Sequence, residues 1–288
     1  MLFLRRPAAK RALSFAAALV LAALPGARAA RAAFDIVINS DTTVTPEQQA
    51  YFNQAAATWE SLITGYQPGI SISSLVIDAT VTTIDGAGGI LGGAAPDTYT
   101  TQAGFTLPTH GIMQFDVVDV PGRIANGTFG AIVLHEIAHV MGLGTLWTDN
   151  GVYVNGSGRY TGANALATYR QEFIGQFAAA FVPVELGGGG GTANGHWDEV
   201  DGGVGLTGRV SVLNGQDMRN ELMTGWLDSP TFISNTTIAS FRDIGYTTVS
   251  TAVVPEAPTL PLAAAGLPLL GLTVLARRRR PRPARATS

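Results

Sequence analysis

Cysteine is missing from all 288 residues, which excludes a disulfide scaffold, thiol catalysis and cysteine-ligated zinc. Any metal has to be held by histidine and carboxylate. Charge is scarce as well, at 14% of residues, and it is segregated. Six of the 18 basic residues precede Ala32 and six follow Ala276; only Arg123, Arg159, Arg170, Arg209, Arg219 and Arg242 stand between. All 21 acidic residues share that middle, 20 of them within residues 34–254, which therefore carry a net charge of −14; that argues against nucleic acid as a partner. The chain shows no internal repeat, and its 46% hydrophobic content is enough to fill the core of one large domain or two small ones.

Long uncharged apolar runs occur only near the two ends. Residues 1–33 combine a basic start, the run Ala12–Leu24, a Pro25-Gly26 break and small residues in Ala27-Arg28-Ala29 and Ala30-Arg31-Ala32, the pattern of a secretory signal peptide. Export then places the mature chain, from near Phe34, outside the cytoplasm. Residues 251–288 read Val254-Pro255-Glu256-Ala257-Pro258, then the 17 uncharged residues Leu260–Ala276, then four arginines, which is the order of a stop-transfer segment. Proline-glutamate, apolar helix and arginine cluster together resemble the PEP-CTERM sorting signal of exported bacterial proteins. The resemblance implies processing near Pro255-Glu256 by an exosortase-type enzyme and a membrane stage during export. Pro-Glu-Ala-Pro stands where that signal has Pro-Glu-Pro, and a permanent C-terminal anchor is the alternative.

Between these ends, residues 34–250 read as a single α+β domain. A strand is expected at Phe34–Asn39. A helix follows from Pro46 to about Thr64, with Thr45 as N-cap, Gln48 completing a capping box, and Phe52, Ala55, Ala56, Trp59 and Ile63 on one face. Strands are expected over Ile70–Thr83, as a short run at Ile90–Ala95, and over Gly111–Val118, giving a mixed sheet. Phe129, Ile132, Val133, Ile137, Val140 and Met141 predict a second helix that stops at Gly142 or Gly144. Beyond it the chain is glycine-rich and loop-like, with a helix expected near Asn164–Ala180 and another over Phe232–Ile244, capped by Ser234 or Asn235.

The second helix carries His135-Glu136-Ile137-Ala138-His139. Histidines at i and i+4 lie one turn apart on one face, so both imidazoles reach one tetrahedral ion, and Glu136 sits beside them. With four histidines in the chain, shuffling produces this pattern about once in a thousand trials. A catalytic zinc needs a third protein ligand and an open position. Thr145 occupies the place three residues beyond Gly142 and offers no ligand. Of the two remaining histidines, His110 is expected before the third strand, as a surface residue or a substrate contact. His196 follows the glycine run Gly187–Gly191 in a loop free to fold back over the metal. His196 is the expected third ligand, with Asp149 or Glu172 as carboxylate alternatives. Calcium binding is the lesser reading of Asp198, Glu199 and Asp201, whose spacing matches no calcium loop; a solvated acidic loop is the favoured one.

His135-Glu136-x-x-His139-x-x-Gly142, the distant Gly195-His196-Trp197 and Glu221-Leu222-Met223-Thr224 together resemble the leishmanolysin family of metzincin zinc peptidases. The likeness covers about Gly111 to Tyr246, and its most specific element is the insert between the second and third histidines. The resemblance implies a metzincin-like zincin: an N-terminal twisted mixed sheet, an active-site helix and a loop-rich C-terminal subdomain. It implies one catalytic Zn2+ on His135, His139 and His196, Glu136 as general base, and Met223 as the Met-turn beneath the metal. The expected activity is that of an exported endopeptidase acting on extended polypeptide. Gly225 stands where some metzincins place a tyrosine, and the absence of cysteine removes both the disulfides and the cysteine latency device of eukaryotic relatives. The rival expectation is a surface or matrix protein whose zinc site is structural or vestigial.

Overall fold

The computed structural model describes residues 34–200 and 204–251; the signal-peptide and sorting-tail expectations, and Asp201, lie outside the described residues. Among the described residues no helix is long and apolar enough to cross a membrane. The fold is mixed α+β. Strand β1 (Ile36–Ser40) leads to helix α1 (Pro46–Leu62), whose Thr45 hydroxyl accepts the Gln48 amide N–H while the Gln48 side chain accepts the Thr45 N–H. This reciprocal cap satisfies two of the amide donors that a helix start leaves open. After β2 (Ile63–Tyr66) come β3 (Leu75–Thr82), β4 (Gly92–Gln102) and β5 (Phe105–Asp116). The main sheet has the order β1-β3-β5-β4, with the first three strands parallel and β4 antiparallel at the edge.

Helix α2 (Val120–Ala125) precedes α3 (Phe129–Val140), which packs beside α1 on one face of the sheet. The Trp59 indole N–H donates to the Leu134 carbonyl at 2.9 Å and locks the two long helices together. The opposite sheet face is open, with Val37 and Ile112 exposed. The C-terminal half holds the short pair β6 (Arg159–Tyr160) and β7 (Val182–Pro183), helices α4 (Ala163–Glu172) and α5 (Asn235–Asp243), and β8 (Tyr246–Thr248). Pairing of β8 with β2 returns the chain to the N-terminal half. There Tyr246 stacks on Tyr66 and meets Phe34 edge-on.

Several boundaries differ from the sequence expectation. Strand β3 starts at Leu75, five residues later than Ile70. The run at Ile90–Ala95 belongs to a strand reaching Gln102, paired with a β5 that begins at Phe105, so His110 lies inside a strand. The polar threonines Thr98, Thr100 and Thr101 hide this hairpin from an apolar pattern, although β-branched residues suit an edge strand. Helix α1 ends at Leu62. Helix α4 ends at Glu172, because Phe173 turns extended to bridge Ser211. Helix α2 (Val120–Ala125) lies in a segment for which no element was expected.

Candidate metal centre

Helix α3 buries Phe129, Ile132, Val133, Ile137 and Val140 in the core, and the remaining face presents His135, Glu136 and His139 to a cleft of about 790 Å³. The third histidine arrives from far along the chain. A bridge between Val184 and Trp197 brackets the glycine-rich loop, and the Glu185 amide donates to the His196 carbonyl at 3.0 Å. Trp197 fixes the register. Its ring is fully buried, stacked on Trp147 and edge-on to Tyr160, with its indole N–H donating to the Thr237 hydroxyl at 2.8 Å. Two glycines let the segments meet. A Cβ on Gly144, whose φ is +76°, would lie 2.2 Å from the Gly195 carbonyl oxygen. A Cβ on Gly225 would lie 2.2 Å from the Thr192 methyl, which explains the absence of a larger side chain there.

The three Nε2 atoms lie 2.9 Å (His135 to His139), 3.0 Å (His135 to His196) and 3.0 Å (His139 to His196) apart. Each Nδ1 faces a backbone carbonyl: Leu222 at 2.7 Å for His135, Leu143 at 2.9 Å for His139, Thr192 at 2.7 Å for His196. A carbonyl accepts only, so every Nδ1 carries the proton and every Nε2 presents a bare lone pair. Three lone pairs in contact repel unless a cation sits among them. Tetrahedral zinc with nitrogen ligands at about 2.0–2.1 Å wants donors about 3.3 Å apart, close to the observed spacing. The donor set therefore fits a divalent metal of the zinc type, and the carbonyl partners are the outer hydrogen bonds that orient metal-binding imidazoles.

Burial holds all three imidazoles below the ordinary histidine range, His196 down to about 3, so they remain neutral and ready to ligate. Burial also pushes the Glu136 carboxyl up to about 8. A dication on the neighbouring imidazoles would draw it back toward the carboxylate.

The structure brings His135, His139 and His196 together as one group able to hold a metal ion. Both carboxylate alternatives fall away. Asp149 is exposed, and Glu172 instead caps α5, accepting the Asn235 amide at 3.1 Å and the Thr236 amide and hydroxyl at 2.8 Å each. Thr145 donates its hydroxyl to the His139 carbonyl at 2.7 Å. His110 points away from the cleft on the open sheet face, between Asp97 at 2.6 Å and Asp78 at 3.3 Å. Met223 is fully buried, and its carbonyl accepts the Trp197 amide at 2.9 Å. Glu221 stands in the Glu221-Leu222-Met223-Thr224 motif, where sequence reasoning assigned it no role. Its buried carboxylate accepts the Met223 amide at 2.5 Å, the Ser234 amide and hydroxyl at 2.9 Å each and the Thr237 hydroxyl at 2.6 Å, tying the Leu222-Met223 turn to the start of α5. Glu199 was misread as solvated; it is 3% exposed. In comparison with known proteins, no family model matches this chain and no curated protein matches it.

Proposed function

We propose that the chain is an exported, zinc-dependent endopeptidase of the leishmanolysin-like metzincin type. The observation that carries this reading is the trio of unprotonated Nε2 atoms converging on one wall of an open cleft, with the carboxyl of Glu136 beside them. A closed structural site has no use for Glu136, which ligates nothing in a three-histidine set. When bound, the zinc supplies Lewis acidity, lowering the pKa of water toward neutrality and polarising a carbonyl. Glu136 takes the proton from the attacking water and returns it to the leaving amine. The carbonyls of Leu222, Leu143 and Thr192 hold the imidazoles in their ligating tautomer throughout. Edge strand β4 borders the cleft through Gly92, Gly93 and Ala94, and an extended polypeptide adding to it gains backbone hydrogen bonds that align the scissile bond. By the resemblance, Met223 would be the methionine of the Met-turn. The signal peptide directs export, and the C-terminal tail passes through a membrane stage to an exosortase-type enzyme.

Glu136→Gln is the decisive variant. It is expected to bind zinc stoichiometrically and to cleave unfolded casein at least about a hundredfold more slowly. An equally active variant would remove Glu136 from the reaction, and a zinc-loaded wild type that cleaves no unfolded protein would favour a structural metal.

A further inference from the structure

Two buried carboxyl groups hold the start of α5, and they differ in what else they touch. The Glu172 side chain serves α5, through Asn235 and Thr236, and the Ser211 hydroxyl. Glu221 serves α5 and the histidine centre together. Its Oε1 accepts the Ser234 amide and hydroxyl and the Thr237 hydroxyl, while its Oε2 accepts the Met223 amide. Both oxygens lead to a histidine. The Met223 N–H shares its peptide unit with the Leu222 carbonyl, which accepts the His135 Nδ1–H at 2.7 Å. The Thr237 hydroxyl accepts the Trp197 indole N–H at 2.8 Å, and Trp197 follows His196 in the chain. The Met223 carbonyl accepts the Trp197 amide at 2.9 Å, so Trp197 is pinned at backbone and ring by two residues that Glu221 holds. His139 is supported locally instead. Its partner carbonyl, that of Leu143, lies in the turn that ends its own helix, where the Leu143 amide donates to the Ala138 carbonyl.

We propose that Glu221 is a positioning residue of the metal centre, a single carboxyl group that sets His135 and His196 against one another. A peptide unit is planar, so the Oε2 contact that fixes the Met223 N–H also fixes the direction of the Leu222 carbonyl on its opposite side. That carbonyl determines which His135 nitrogen carries the proton and where Nε2 points. Through Oε1 the same group fixes Thr237, and with it Trp197 and the adjoining His196. The two imidazoles stand 61 residues apart in the chain, yet both are referred to one buried anchor. The inference rests on the metal reading of the three imidazoles and is independent of peptide hydrolysis.

Glu221→Gln is the selective variant. Its amide oxygen can keep the Oε1 bonds to Ser234 and Thr237, which turns the NH2 group onto the Met223 N–H, donor against donor. The α5 cap then survives while the Leu222 peptide is released. The full chain is tested by chromogenic-chelator competition for zinc and by the visible absorption bands of the cobalt-loaded protein, which report coordination geometry. Glu221→Gln is expected to bind zinc about 10–100-fold more weakly, the usual loss when a contact that supports a metal ligand is removed, and to show altered cobalt bands. Glu172→Gln, which disturbs a buried cap of the same helix, is expected to lower Tm and to keep wild-type affinity and bands. Should Glu221→Gln fail to fold, Thr237→Val takes its place. It leaves Glu221 its bonds to Met223 and Ser234, cuts the link to Trp197, and is expected to weaken zinc binding about tenfold. Wild-type affinity and bands in the variant that folds overturn the proposal. Equal losses in Glu172→Gln also overturn it, since the effect is then one of α5 stability. A wild-type chain that binds neither zinc nor cobalt removes the metal centre itself, a different failure from unaltered binding in the variants.

Discussion

Each histidine of the centre is committed on one side to a carbonyl and on the other to its two partners, so the loss of one imidazole has a sharp consequence. His196→Ala removes the one imidazole of the trio that lies outside α3. Its zinc affinity is expected to fall by more than the roughly 10–100-fold that a lost supporting hydrogen bond costs, as read by competition with a chromogenic chelator. Full zinc retention would transfer the third position to another group. His135, Glu136 and His139 were legible because their spacing builds half a site on any helix. His196 was legible because the supply of histidine is so short. The carbonyls of Leu222, Leu143 and Thr192 were not legible, since a backbone oxygen leaves no mark in a sequence. A different residue governs the rim. Asp116 accepts amides of Val118, Gly86, Ile84 and Asp85 at 2.8–3.0 Å, which holds its carboxyl down at about 2 and shapes the turn entering β4. A carboxylate with a lowered folded pKa stabilises fully above its unfolded pKa of about 3.9 and loses that contribution as pH falls toward 2. The gap in Tm between wild type and Asp116→Asn is therefore expected to be constant above pH 5 and to shrink between pH 4 and pH 2. A gap unchanged at pH 2 would show that the charge contributes nothing.

Among the elements, those with a strong local signal matched expectation best. Helix α1 has its capping box and apolar stripe, α3 its 3.6-residue periodicity, and α5 its Ser234 cap. The β4-β5 hairpin and α2 were obscure because threonine-rich strands and a six-residue helix show too little periodicity. What positions the site is mostly the approach of unlike elements, and the turn after α3 shows this best. Gly144 adopts a left-handed conformation against Gly195, one residue before His196. Gly144→Ala adds both the backbone cost of about 1–2 kcal/mol and a collision with the Gly195 carbonyl. The loop must retreat, and zinc affinity is expected to drop about tenfold or more in the same chelator competition. Gly151→Ala is the control. Its φ is +68° with open space around the added Cβ, so it carries the backbone cost alone and is expected to lower Tm while leaving zinc affinity intact. Equal losses of affinity in both variants would mean that general destabilisation, not the close approach, weakens the metal.

At the scale of the whole molecule, two halves with different means of support face each other across the cleft. The N-terminal half has a continuous core, with Phe52, Trp59, Ile77, Phe115, Phe129 and Ile137 all buried between sheet and helices. The C-terminal half has little regular structure around the centre and relies on Trp197, on the carboxylates of Glu172 and Glu221, and on the return of β8 to β2. A metal held by His135, His139 and His196 joins α3, which belongs to the first half, to a loop of the second. Its binding energy therefore supports the loop far more than the sheet. With free zinc about a thousandfold above Kd, chelation removes roughly 4 kcal/mol, and Tm is expected to fall by about 10 °C. Hydrogen exchange should locate the change. Amides of 185–197 and 220–226 are expected to lose protection on chelation, while those of α1, β3 and β5 keep theirs, because Trp59 and the surrounding core hold α3 without help from the metal. Uniform loss of protection would mean that the ion organises the whole domain, and unchanged exchange in 185–197 would mean that Trp197 alone seats the loop and the three imidazoles converge without binding any ion.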